Sequence, residues 1–445
     1  MGTRLVVIGG DGAGMAAAAQ ARRRSPEMEI VALERGAWTS YDAGGIPALV
    51  DGSVDGPGAL VSRTPEQFRA MHIDARIGHE VTRIDLADRS VEVHNRARER
   101  TFRLGFDLLH IATGATPVRP DVPGADGSHV HGVRTLGDAT RLSDDVRSLN
   151  PAHVVVVGSD YIGLGLAEAL LERGTSVTVV EAGREVMGSL DTDMGALVGR
   201  ALRAAGVTVR LGERVVGFEE GVVHTDAGEI PADLIVLGTG VAPETALAAA
   251  AGIDTGVRGA IVVDRTQRTS AEGVYAAGDC CQSWHVVSGR PVHEPLGTVA
   301  NKQGRVAGIN LAGGYATFRG VAGTAVTRVC GTEVGRTGLG EVEAAAAGFG
   351  VVATTVEATT TAAYLPGAAA TTVKLLAERG GGRVLGAQIV GGPGSAKRVD
   401  VVATALYAGM DVEDLIGLDL SYAPPYTPVW EAVQIAAREL AARLA

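Results

Sequence analysis

The chain has 445 residues, of which 46% are hydrophobic and 62 are glycine, too many for one core and suited to two or three Gly-turned α/β units. A formal net charge of -11 disfavours nucleic acid and anionic lipid as partners. Three cysteines, Cys280, Cys281 and Cys330, exclude a disulfide framework and paired C-x-x-C metal ligands. The N-terminus carries no leader pattern and no run of eighteen apolar residues follows, so the expectation is a soluble cytoplasmic protein without a membrane segment.

The first predicted element is a buried strand over residues 4–8. Gly9-Gly10-Asp11-Gly12-Ala13-Gly14 follows as a turn into an Ala-rich helix ending near Arg24. Gly9 permits the tight bend and Gly14 the close approach of helix to strand, while the helix N-terminus offers free N–H groups to a pyrophosphate. A second strand, residues 29–33, ends at Glu34. That acid stands 34 − 9 = 25 residues after the first glycine, where a carboxylate can accept from ribose hydroxyls.

Residues 106–117 read as a strand breaking into a Gly/Pro crossover through Ala112, Thr113 and Gly114. The pattern then repeats. Residues 153–157 are a strand, Gly158-Ser159-Asp160-Tyr161-Ile162-Gly163 a glycine turn, and a helix to Arg173 precedes a strand over 176–180 ending at Glu181, 181 − 158 = 23 residues on. Asp160 takes the place of the middle glycine, where its side chain crowds and its charge repels a pyrophosphate. Asp11 holds the same register in the first copy. Glu181 favours NADH over NADPH, because a carboxylate repels the 2′-phosphate, an effect Arg184 offsets.

Residues 232–243, through Gly240, duplicate the crossover, so two dinucleotides are expected. Residues 273–279 form a strand ending in Gly278-Asp279, where a carboxylate can hold the ribityl chain of a flavin, which makes the first dinucleotide FAD. Beyond Gly320, strands are expected at 324–330, 350–357 and 371–377, and helices at 395–408 and 429–444, with no glycine loop. The ten histidines show no metal spacing and no metal site is assigned.

Taken with Thr64-Pro-Glu-x-Phe68, Pro295-Leu-Gly-Thr-Val-Ala-Asn-Lys-Gln-Gly-Arg305 and Leu420-Ser-Tyr-Ala-Pro-Pro-Tyr-Thr-Pro428, these motifs resemble the pyridine-nucleotide-disulfide oxidoreductases across essentially the whole chain. Within them they are most similar to coenzyme A disulfide reductase and its NADH oxidase relatives. The resemblance implies two Rossmann-like domains plus a C-terminal α/β dimerisation domain: FAD on 1–113 and 250–320, NAD(P) on 114–249, and a homodimer formed through 321–445. It implies FAD contacts from Gly9, Gly10, Asp11, Ala13, Gly14, Glu34, Arg35, Ser40, Val81, Ala112, Thr113, Gly114, Gly278, Asp279, Leu296 and Gly297. NADH or NADPH falls to Gly158, Ser159, Asp160, Ile162, Gly163, Glu181 and Gly240.

The family's redox cysteine belongs in Ser-Tyr-x-x-Cys-Gly-x-Pro, yet residues 40–47 read Ser-Tyr-Asp-Ala-Gly-Gly-Ile-Pro, with Gly44 in the thiol's place. Gly165 likewise stands where the family has glutamate. Disulfide reduction through a mixed disulfide is therefore disfavoured, and direct transfer from flavin to oxygen, a quinone-like acceptor or a coenzyme A derivative is expected. For a coenzyme A substrate the resemblance supplies Gln20, Arg23, Ser40, Arg63, Asn301 and Lys302, with Tyr364 and Tyr422 from the partner subunit; Ala43 replaces a family asparagine. Three alternatives stay open: a flavin enzyme that uses no nicotinamide, a non-catalytic FAD-holding redox sensor, and a thiol reductase running on Cys280 and Cys281.

Overall fold

The computed structural model describes residues 2–444. Its first sheet is parallel and five-stranded, in the order Val274–Ala276, Leu108–Ile111, Arg4–Ile8, Glu29–Leu33, Asp74–Arg76. Leu5, Val6, Val7 and Ile8 are all buried because both faces are covered. On one side lie helix Gly12–Arg24 and helix Gly297–Leu311. They cross so closely that a Cβ on Gly304 or Gly308 would meet the carbonyl oxygen of Ala13 or Ala17 at 2.3 or 2.4 Å. On the other lies a three-stranded antiparallel layer, His79–Asp85, Ser90–Asn95 and Arg100–Gly105, whose Ile84, Val91 and Val93 pack on Val6 and Ile8.

Residues 130–237 build the same object again. The parallel order is Thr208–Leu211, Ser176–Glu181, His153–Val157, Leu234–Leu237, Val130–Gly132, with an antiparallel layer over Val215–Glu219, Gly221–Thr225 and Gly228–Ala232. The two crossovers inferred from sequence pair with each other, Ala115–Pro117 antiparallel to Val241–Pro243. The chain leaves the first unit and re-enters it along one two-stranded ribbon, and strand Val274–Ala276 then joins the first sheet.

The C-terminal sheet is antiparallel, in the order Ala325–Val329, Thr332–Gly338, Val384–Gly391, Ala370–Glu378, Val351–Thr359. The strands at 332–338 and 384–391 were not expected from sequence, since Gly335, Gly338, Gly386 and Gly391 interrupt their apolar pattern. The helix expected over 395–408 divides into a 3₁₀ turn, Ala396–Arg398, and an α-helix, Val399–Ala408. The last helix runs Ala432–Leu444 rather than from 429, because Glu431 turns its carboxylate onto the N–H of Val433 (2.6 Å) and caps it there.

This third unit grips the second through Lys374, a side chain 5% exposed whose Nζ lies 2.5 Å from Glu341, 2.7 Å from Asp193 and 3.1 Å from Asp191. Gln388 Oε1 accepts from the Asp191 N–H at 2.8 Å. Among the described residues no helix is long and apolar enough to cross a membrane.

Candidate active site

The first glycine turn is built as its composition demands. Gly9 has φ +106°, and a Cβ there would fall 2.1 Å from the Ala112 carbonyl oxygen; one on Gly14 would fall 2.0 Å from the Gly9 oxygen. Both oxygens of Glu34 are pinned by backbone, Oε2 by the N–H of Gly10 (2.7 Å) and Oε1 by that of Gly36 (2.6 Å). In the second copy Glu181 is held the same way, by Ser159 Oγ (2.5 Å) and the N–H of Gly183 (2.7 Å). Each carboxylate is thus oriented beside its glycine turn without a ligand.

Asp11 and Asp160 occupy one register and do different things. Asp160 Oδ1 folds back to accept from the N–H of Gly163 (2.6 Å), capping helix Tyr161–Glu172. The expected crowding is thereby relieved, but the charge stays, and burial raises its pKa. Asp11 leaves its helix uncapped and accepts from the N–H of Tyr41 (3.2 Å), while the N–H of Ser40 donates to Gly10 O (3.0 Å). The start of the segment 40–47 is thereby tied to the first glycine turn. Burial pushes the Asp11 carboxyl up to about 6.

A cleft of about 2170 Å³ runs from this turn across to the second. Of the residues expected at FAD, Gly9, Asp11, Ala13, Glu34, Arg35, Ser40, Val81, Ala112, Thr113, Gly114, Gly278, Asp279, Leu296 and Gly297 line it; Gly10 and Gly14 lie behind it. Gly44, Asp160, Ile162 and Gly240 line it too, as do Asn301 and Lys302. Gly158, Ser159, Gly163 and Glu181 are outside its wall. Gly158, at φ +89°, would put a Cβ 2.3 Å from the Gly238 oxygen, so it serves the turn itself.

The other residues expected at coenzyme A are not gathered here within one chain. Arg23 Nη1 donates to Gln20 Oε1 (3.4 Å) on the first helix, and the Arg63 guanidinium lies 5.3 Å over the Phe68 ring. Tyr364 and Tyr422 are 76% and 52% exposed on the C-terminal unit. Their loops are joined, because the Ala362 N–H donates to Pro424 O (3.0 Å) and Arg398 donates to both Thr360 O (2.6 Å) and Tyr426 O (3.1 Å).

At Gly44 an added Cβ would meet only Asp42, whose Oδ1 would be 3.1 Å away and which accepts from the Gly44 N–H at 2.9 Å. At Gly165 a Cβ would press on Pro47 Cγ at 3.1 Å. Gly165 therefore packs against the same short stretch, residues 40–47, that holds Gly44. Cys280 and Cys281 are both buried free thiols with their sulfurs 3.7 Å apart; neither lines the cleft.

Sequence reasoning missed the residues that close the cleft. Arg134 pairs with Asp279 across 145 positions, so nothing local announced it. His293 Nε2 donates to Asp279 O (2.7 Å), and Gln303 Oε1 accepts from the Gly278 N–H (2.8 Å). Tyr161, Ser189, Glu294 and Arg336 complete the wall from all three units. Among the described residues no group of three or more His, Cys, Asp or Glu could hold a metal ion.

Known proteins place this geometry. The profile of the pyridine nucleotide-disulphide oxidoreductases matches residues 3–304, and that of their dimerisation domain residues 324–433. The chain is 37% identical to the NAD(P)H coenzyme A polysulfide/persulfide reductase of Pyrococcus horikoshii over 450 residues, 99% of each chain. It is 33% identical to an NADH oxidase of Methanocaldococcus jannaschii over 448 residues, again 99% of each. Among solved structures, reduced CoADR-RHD of Bacillus anthracis superposes with TM-score 0.97 at 32% identity, covering 100% of this chain and 81% of that one. The NAD-dependent persulfide reductase of A. fulgidus gives 0.96 at 36%, covering 99% and 83%. The chain belongs to the pyridine nucleotide-disulphide oxidoreductase family, with the family's dimerisation domain at its C-terminal end.

Proposed function

We propose that this family member is an FAD-dependent NAD(P)H oxidoreductase that works without an active-site thiol, passing electrons from flavin directly to oxygen, a quinone-like acceptor or a coenzyme A derivative. The observation that carries the reading is Gly44, which lines the cleft where the resemblance puts the redox cysteine, while both Cys280 and Cys281 lie outside it. Without a thiol, no mixed disulfide forms at the flavin.

The residues fit FAD. The Gly9 turn leaves no room for a side chain, Glu34 stands fixed for a ribose, and Asp279 with Gly278 sits at a strand end held by Arg134 and Gln303. When bound, the flavin supplies two-electron chemistry; the protein's part is to orient it, exclude water and manage protons. Glu181 supports NADH over NADPH. The C-terminal domain and the paired Tyr364 and Tyr422 loops support a homodimer in which those tyrosines reach the partner's cleft. The coenzyme A-related relatives support such a derivative as acceptor.

Anaerobic mixing with NADH and NADPH tests the donor: the flavin bleaches, faster with NADH. The half-buried Asp160 carboxylate, which lines the cleft, favours a second reading, in which an organic substrate reduces the flavin without nicotinamide. A flavin that stays oxidised with both nucleotides decides for that reading.

A further inference from the structure

Nine carboxylates line the cleft, those of Asp11, Glu34, Asp42, Glu80, Asp85, Asp160, Glu244, Asp279 and Glu294. Seven are engaged: Asp11, Glu34, Asp42 and Asp160 as described, Asp279 by Arg134, Glu80 by Arg96 at 2.8 Å, and Asp85 by the Asp88 N–H at 3.0 Å. Among the described residues, no hydrogen bond or ion pair reaches the side chains of the other two lining carboxylates, Glu244 and Glu294. Glu294 shares its stretch of wall with Tyr161, Ser189 and Arg336, where the three units meet, and burial raises its pKa.

Its backbone is rigidly placed. The neighbouring His293 is bonded to Asp279 O, and the Leu296 N–H donates to Glu294 O (2.9 Å) at the start of helix Gly297–Leu311. Glu294 thus shares a scaffold with the Gly278-Asp279 strand end.

The charged groups around it act on Glu294 through space rather than by hydrogen bonds. Arg336, from strand Thr332–Gly338, donates to Ser189 O (2.5 Å), Gly338 O (3.2 Å) and Glu343 Oε2 (2.9 Å) and makes no hydrogen bond to Glu294. Arg336 lowers the Glu294 pKa, Glu343, on helix Glu341–Ala347, raises it, and Arg258 lowers it. Tyr161, on helix Tyr161–Glu172, faces the same space and is bonded to Ser189 Oγ (3.5 Å). A carboxyl group that is desolvated, unpaired and set where all three units meet is equipped to carry a proton rather than a structural charge.

We propose that Glu294 is the acid that protonates the electron acceptor. The proposal rests on the thiol-free oxidoreductase reading above. For a quinone-like acceptor the overall reaction is NAD(P)H + H⁺ + quinone giving NAD(P)⁺ + quinol. The Glu294 O–H bond breaks, its proton forms an O–H bond on one quinone oxygen, and the carboxylate recovers a proton from water. With dioxygen the same proton goes to the hydrogen peroxide formed.

The test uses FAD-loaded wild type, Glu294→Gln and Glu294→Asp, each reduced anaerobically with dithionite and mixed with a water-soluble quinone or with oxygen between about pH 5 and 8. Wild-type reoxidation slows as pH rises through the Glu294 pKa. Glu294→Gln is slower by about 100-fold and loses that pH dependence, whereas Glu294→Asp recovers at least about a tenth of the rate. A second readout is infrared: the protonated-carboxyl C=O band in the reduced-minus-oxidised spectrum disappears in Glu294→Gln. A Glu294→Gln protein that matches the wild-type rate and pH profile, or keeps the band, overturns the proposal. Because dithionite bypasses the nucleotide, failure of NAD(P)H to bleach the flavin counts against the proposed function and leaves the variant-to-wild-type ratio measurable.

Discussion

Gly44 has an ordinary backbone conformation and open space before it, so a cysteine fits with only the flexible Asp42 side chain to displace. Gly44→Cys is expected to fold within about 1 kcal/mol of wild type. It should also gain a thiolate-to-flavin charge-transfer absorbance and disulfide reductase turnover at least about 10-fold above wild type, because a thiol beside a helix start is acidified. A variant without either change would show that more than the sulfur was lost. Asp160→Asn keeps the cap on Gly163 and removes the charge, so NADH should bind roughly 10-fold tighter by calorimetry, about 1.4 kcal/mol.

Asp11 and His110 set opposing acid responses. Burial raises Asp11 to about 6, so the native state holds that proton more tightly than the unfolded chain, and stability falls as pH rises between about 4 and 6. Burial lowers His110 to about 4; its neutral form is lost as pH falls from about 6.5, and stability falls with it. Each is worth roughly 3 kcal/mol, in opposite directions. Asp11→Asn should therefore expose the histidine's acid lability in urea titrations from about pH 6.5 down to 4, where wild type changes little. Parallel pH profiles for the two proteins would refute this.

At the scale of elements, each dinucleotide unit was legible because its strand, turn and helix lie within one stretch of about thirty residues. The antiparallel layers over 79–105 and 215–232 were not, since their strands are polar on the outer face and short. The contact between the second and third units was equally hidden. Lys374 sits in a strand that reads as apolar, while Asp193 is 181 positions away. Burial alone would lower the Lys374 pKa, but Asp193, Glu341 and Asp191 outweigh it and raise it. Lys374→Met leaves those carboxylates uncompensated at the interface. A loss of about 3–5 kcal/mol in denaturant unfolding is expected, and a loss below about 1 would mean that water screens the cluster.

At the scale of the molecule, Tyr364, Tyr422, Tyr426, Val429 and Trp430 leave an aromatic and apolar face open on the C-terminal unit. If that face meets a second copy, the double substitution Tyr426→Asp, Val429→Asp gives monomers in sedimentation, retains FAD, and weakens coenzyme A binding at least about 10-fold, measured by calorimetry. Dimers with undiminished coenzyme A affinity would assign the face another role.

By itself the sequence determined the two glycine turns, the acids Glu34 and Glu181 held beside them, and the crossover pair, because each is a local pattern set by spacing along the chain. Only the tertiary structure decided that Asp160 caps a helix instead of crowding the turn, that Arg134 closes on Asp279, and that Glu294 stands unpaired among Arg336, Glu343 and Tyr161. Arg134 and Asp279 lie 145 positions apart, and whether the Asp160 side chain turns to its own helix or to the glycine turn is set by where it folds; linear spacing records neither.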